Sequence, residues 1–109
     1  MNVQADIDAG ICGFQTRVVA HSEDSQQVQF DITSGCEKIQ GLAETLQPKQ
    51  PIDAYQEIRP AEGVIMMTAK SQLTGCCAGC AVPAGIFKAL QVAAGLALPK
   101  DITITIKKS

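Results

Sequence analysis

The stretch Val28-Gln29-Phe30-Asp31-Ile32-Thr33-Ser34-Gly35-Cys36-Glu37-Lys38-Ile39 decides the fold, because the spacing of its apolar residues changes halfway along. Val28, Phe30 and Ile32 alternate with polar neighbours, the period of a half-buried strand. Ser34-Gly35-Cys36-Glu37 then fits a capping box, with Ser34 as N-cap and Glu37 at the third helical position. Ile39, Leu42, Ala43 and Leu46 supply the apolar face of the helix that follows. Cys36 therefore sits in the first turn of a helix at the end of a strand.

Toward the N-terminus, Val3, Ala5 and Ile7 alternate in the same way, and Phe14 to Ala20 is rich in β-branched residues. Gly10 to Gly13 and Ser22 to Ser25 are turns between these strands. Connections this short make an antiparallel meander, so the first turn and the end of the third strand share one edge of the sheet. That places Cys12 and Cys36 at the same end.

Toward the C-terminus, Pro48 and Pro51 stop the first helix. Ile52, Tyr55 and Ile58 suggest a second short helix, and Pro60 a third over roughly 61–71. Val64-Ile65-Met66-Met67 reads equally well as a short buried strand. From Pro83 to Leu96 only Lys88 and Gln91 are strongly polar, so this helix is covered on nearly every side, by the sheet and other helices or by a second subunit in a homodimer. The helix ends around Gly95, Pro99 turns the chain, and Ile102, Ile104 and Ile106 alternate in a final strand. The expected architecture is α+β in two layers: a three-stranded antiparallel meander plus a C-terminal strand, covered on one face by three to four helices.

With 109 residues and 46% apolar residues, the chain is one domain, 1–109. Nine basic and eleven acidic residues give a net charge of -2. There is no basic run, so nucleic acid and anionic membrane surfaces are not expected partners. Met1-Asn2-Val3-Gln4-Ala5-Asp6 lacks the features of a signal peptide, and no stretch approaches eighteen uninterrupted apolar residues. The expected location is cytoplasmic, where thiols stay reduced.

Five cysteines, Cys12, Cys36, Cys76, Cys77 and Cys80, are many for this length. In a reducing compartment an odd, unevenly spaced set points to metal or thiol chemistry over a disulfide framework. The C-x-x-C of Cys77 and Cys80 stands just before the helix opened by Pro83, where a thiolate meets unpaired N–H groups and the positive end of the helix dipole. If that helix pairs antiparallel with the final strand, and the strand joins the meander antiparallel beside its second strand, the C-x-x-C reaches the end that holds Cys12 and Cys36. A final strand running the other way would carry it to the far side.

Four thiols, Cys12, Cys36, Cys77 and Cys80, then form a complete set for tetrahedral zinc or an iron–sulfur cluster, with Cys76 as the spare. Gly10, Gly13, Gly35, Gly75 and Gly79 let backbone approach closely. A single knuckle with two remote ligands fits a cluster at least as well as zinc. Such a site would serve electron transfer, sensing or cluster handling, with a protein redox or cluster partner. A second reading makes Cys77 and Cys80 the attacking and resolving sulfurs of a thiol–disulfide redox protein, although the surrounding meander departs from the thioredoxin-like context. A third treats the cysteines as small buried hydrophobes in a structural domain.

Other residues carry less. His21 lies at the edge opposite Cys12, beside Ser22-Glu23-Asp24, as a solvated turn residue. Asp6, Asp8 and Asp31 are explained by solvent-facing strand positions. The chain has no phosphate loop, no dinucleotide fingerprint and no aromatic platform.

The segments Ile7-Asp8-Ala9-Gly10-Ile11-Cys12-Gly13-Phe14, Cys77-Ala78-Gly79-Cys80-Ala81-Val82-Pro83 and Ala94-Gly95-Leu96-Ala97-Leu98-Pro99-Lys100-Asp101 resemble a family of small uncharacterised proteins of anaerobic prokaryotes. The resemblance spans nearly the whole chain. It implies one compact domain and an anaerobic setting, which favours iron–sulfur over zinc, and it transfers no catalytic residue.

Overall fold

The computed structural model describes residues 1–59 and 63–109. The meander forms as its alternation requires: β1 is Asn2–Asp8, β2 Gln15–His21 and β3 Gln27–Ser34. Both pairings are antiparallel, with Asp8 opposite Gln15 and Thr16 opposite Ser34. Val18, Ala20, Val28 and Phe30 point into the core, while Gln4, Asp6, Arg17, Gln29 and Asp31 line a solvated face.

Helix α1 is Glu37–Leu46 and buries Ile39, Leu42 and Leu46. It starts two residues later than the capping box implies. Cys36 is the N-cap and makes no side-chain capping bond. The Ser34 hydroxyl instead accepts from the Cys36 N–H at 3.1 Å and hydrogen-bonds the Thr16 hydroxyl at 2.8 Å. Ser34 thus closes a local turn while still paired in the sheet, a competition open to short hydroxyl side chains.

A 3-10 turn, Gln47–Lys49, leads to β4, Ile52–Asp53, whose Ile52 pairs with Val28. Ile52 is therefore strand where the sequence suggests helix. The cause is Asp53: its carboxylate accepts from the N–H groups of Tyr55 at 2.9 Å and Gln56 at 3.2 Å, which starts α2 at Ala54–Glu57 and leaves Ile52 extended.

The ambiguous Val64-Ile65-Met66-Met67 run is helical, within α3, Val64–Gln72. The expected start at 61–62 lies outside the described residues. Gly63 offers no side-chain cap, and the buried carboxylate of Glu57 replaces it, accepting from Val64 N–H at 2.9 Å and Ile65 N–H at 2.6 Å. Two orphan donors of the helix start are satisfied from seven and eight residues upstream.

A second 3-10 turn, Gly75–Gly79, precedes α4, Val82–Ala93. α4 lies on β1 and β2, α1 lies on β3, and α3 fits between α1 and α4, so the cover on α4 comes from its own chain. Gly85 allows the close approach to the sheet, since a Cβ there would fall inside the Ile7 side chain. α4 ends before Leu96 because Gly95, at φ +75, forms a Schellman cap: Leu96 N–H donates to Gln91 at 2.8 Å and Gly95 N–H to Val92 at 3.0 Å. By composition Gly75–Ala93 is apolar enough to span a bilayer, with mean hydropathy 1.5. Its α-helical part has only 12 residues, about 18 Å, against a hydrocarbon core of about 30 Å.

The final strand does not form. Residues 97–109 belong to no element, and Ile102, Ile104 and Ile106 are exposed. The expected pairing beside β2 is sterically closed, because β1 and β3 occupy both its edges. The sheet order is β1-β2-β3-β4, and the fourth strand is Ile52–Asp53 at the β3 edge. The two-layer α+β architecture stands with this change of strand.

Candidate functional site

Three contacts draw the chain segments that carry cysteines toward one end of the sheet. First, the turn after β1 joins the start of α1: Gly35 N–H donates to the Gln15 carbonyl at 3.4 Å, and the Phe14 ring lies against Gly35. Second, Lys38 Nζ in the first turn of α1 donates to the carbonyl of Thr74 at 3.3 Å, which ties down the residue preceding the second 3-10 turn. Third, Gly85 in the first turn of α4 meets Ile7 at the same end of β1. The C-x-x-C lies between the last two contacts. These contacts place segments, not sulfurs, and none of them uses the expected final strand.

The cysteines differ in setting. Cys36, Cys77 and Cys80 are half-buried and pack against the hydrophobic core, whereas Cys12 and Cys76 are exposed. None is fully buried, while the core is filled by Val, Ile, Leu, Ala and Phe side chains. All five are free thiols.

Backbone geometry shapes the turn that carries Cys77 and Cys80 and the turn that carries Cys12 differently. Cys77 N–H donates to Thr74 at 3.2 Å and Cys80 N–H to Cys77 at 3.1 Å, so the C-x-x-C is wound in a tight turn, with Gly75 at φ +62 before it. Ala81 is the N-cap of α4, and Pro83 occupies its first turn. Cys12 rides on a turn closed by Gly13 N–H to the Gly10 carbonyl at 2.9 Å, with Gly10 at φ +89 and Gly13 at φ +76. Ile11 beside it is wholly exposed.

Asp8 is a contributor that spacing arguments passed over. Its carboxylate accepts from the Gly10 N–H at 2.8 Å, anchoring the Cys12 turn. That bond, followed by one from Gln15, holds the Asp8 carboxyl below its ordinary value. The signal available in the sequence is the Asp-x-Gly spacing, an Asx-type turn opening.

Among the described residues, no three side chains of His, Cys, Asp or Glu lie close enough together to hold one ion. The structure brings the segments of Cys12, Cys36, Cys77 and Cys80 to one end and does not close their thiols into a cage. The donor set itself suits a soft metal: four thiols, three of them half-buried, with no carboxylate or imidazole competing in the set. His21 is at the opposite end, where Nδ1 bonds Asn2 Oδ1 and Nε2 lies 3.6 Å from Glu23.

A family model described as "Family of unknown function (DUF6951)" matches residues 3–106. No curated protein and no solved structure matches the chain.

Proposed function

Because the chain belongs to this family of unknown function, DUF6951, its chemistry is argued from its own residues, and we propose that it binds a thiophilic metal ion or an iron–sulfur cluster through Cys12, Cys36, Cys77 and Cys80. The observation that carries this reading is the convergence of three cysteine-bearing segments on one sheet end, with Cys36, Cys77 and Cys80 half-buried against the core. Cys12 supplies the fourth sulfur from the glycine-flanked turn, whose inward movement closes the set around the metal. The N-terminal ends of α1 and α4 contribute partial positive charge toward thiolate sulfur.

A cluster bound here provides a one-electron centre, and zinc provides a structural or sensing site. A reducing cytoplasm keeps the four thiols available as ligands. Resemblance to small proteins of anaerobic prokaryotes favours iron–sulfur.

Protein purified without oxygen tests the reading by elemental analysis and visible absorption. Stoichiometric iron with a brown chromophore, or stoichiometric zinc without colour, is expected. Serine replacement of Cys12, Cys36, Cys77 or Cys80 should each lower the metal content, and Cys76→Ser should leave it unchanged. Metal-free protein, or metal content indifferent to all four replacements, overturns the proposal.

A further inference from the structure

Among the described residues β1 is an edge strand: it pairs with β2 alone, and its other edge carries unpaired backbone groups. Its inward stripe, Val3, Ala5 and Ile7, packs against the core yet none of the three is fully buried, so the apolar face is not completely covered on that side. The same chain carries a strand sequence with no edge to join. Ile102, Ile104 and Ile106 alternate with Thr103, Thr105 and Lys107, and the three isoleucines are 58%, 71% and 89% exposed. This much uncovered, contiguous apolar surface marks an interaction segment.

We propose that the segment Ile102–Lys107 of one copy adds as a strand, parallel to β1, to the free β1 edge of a second copy, and that the exchange is reciprocal in a dimer. Side-chain alternation fixes the face. With Ile102 beside Val3, the isoleucines Ile104 and Ile106 fall beside Ala5 and Ile7 on the core side. Thr103, Thr105 and Lys107 fall beside Gln4, Asp6 and Asp8 on the solvated side. Charge selects the direction. The parallel register sets Lys107 next to Asp8, whereas the antiparallel register that puts Ile102 beside Ile7 sets Asp101 next to Asp8, a like-charge pair.

The occupant is a second copy because of how the segment leaves its own body. The Schellman cap at Gly95 fixes the exit from α4, with Leu96 N–H bound to Gln91 at 2.8 Å. Pro99 then stiffens the connector and holds Leu98 extended. The result is a segment standing clear of its own sheet, with every residue from Leu98 to Ser109 exposed and the molecule drawn out to 44 × 27 × 26 Å. A stiff arm held off its own fold is the arrangement from which strand exchange proceeds.

Sedimentation equilibrium and hydrogen exchange on the full chain test this. A dimer is expected, with the amides of 102–107 protected at high concentration and released on dilution. Ile104→Lys, and removal of 97–109, should each give a folded monomer with an unchanged far-ultraviolet spectrum. Lys107→Asp should raise the dimer dissociation constant about 3–10-fold, and Lys107→Arg should leave it nearly unchanged. A monomer at all concentrations, whether its 102–107 amides are protected or not, overturns the proposal. So does a dimer that survives removal of 97–109. An unchanged dissociation constant in Lys107→Asp overturns the parallel register.

Discussion

Gly85 of α4 sits against Ile7 of β1 with no room for a single added methyl, because a Cβ at Gly85 would overlap both the end and the Cγ1 of the Ile7 side chain. Ile7 is β-branched, so its Cγ1 moves only through a costly change of rotamer. An alanine in a helix interior ordinarily gains about 1 kcal/mol over glycine. Here overpacking wins, and Gly85→Ala should destabilise by about 1–2 kcal/mol in denaturant titration. In an Ile7→Ala background the same change should become neutral or stabilising. Additive effects of the two substitutions would refute the contact as the cause.

Glu57 should matter far more than its place in a short helix suggests. Its buried carboxylate is the cap of α3 through Val64 and Ile65, and Gly63 can supply no other. Glu57→Ala leaves two N–H groups without partners and is expected to cost about 2–4 kcal/mol. Glu57→Gln keeps one acceptor oxygen and should lose less. Chemical denaturation of the two variants measures the difference, and equal losses would contradict a capping role.

Acid sensitivity should track Asp53. Its carboxyl is held below the ordinary 3.8, chiefly by the Gln26 side chain and then by the N–H groups it caps. A carboxyl depressed in the folded state stabilises above its unfolded value, and that contribution is lost as pH falls through the folded value. Stability should therefore be level near pH 6 and decline below about pH 4. Asp53→Asn retains an acceptor for Tyr55 and Gln56 and removes the titration. Its denaturation midpoint should fall less steeply between about pH 4 and pH 2 than that of the parent, and an identical acid slope would remove Asp53 from the account.

The meander was legible because Val3, Ala5, Ile7, Val28, Phe30 and Ile32 keep a strict period of two over a sheet with one bare face. The C-terminal strand expected to carry the C-x-x-C to the sulfur end of the sheet does not form. Contacts of Gly85 with Ile7 and of Lys38 with Thr74 bring the C-x-x-C there instead. Ile102, Ile104 and Ile106 show the limit of periodicity: alternation says which face of a strand would be apolar, but not whether an edge is free to receive it. The Glu57 cap was hidden for a different reason. Capping motifs are local, and this one reaches across seven residues to a helix whose own N-cap is glycine.

The β3 part of the solvated face lies away from the core, the sulfur end and the β1 edge. Gln29 and Asp31 of β3 look outward from a central stretch of the molecule, on a strand paired to β2. That makes this surface the natural anchorage for a dye, an affinity handle or a solid support: a probe fixed at Gln29 would report on the protein while leaving its thiols and its isoleucine arm untouched.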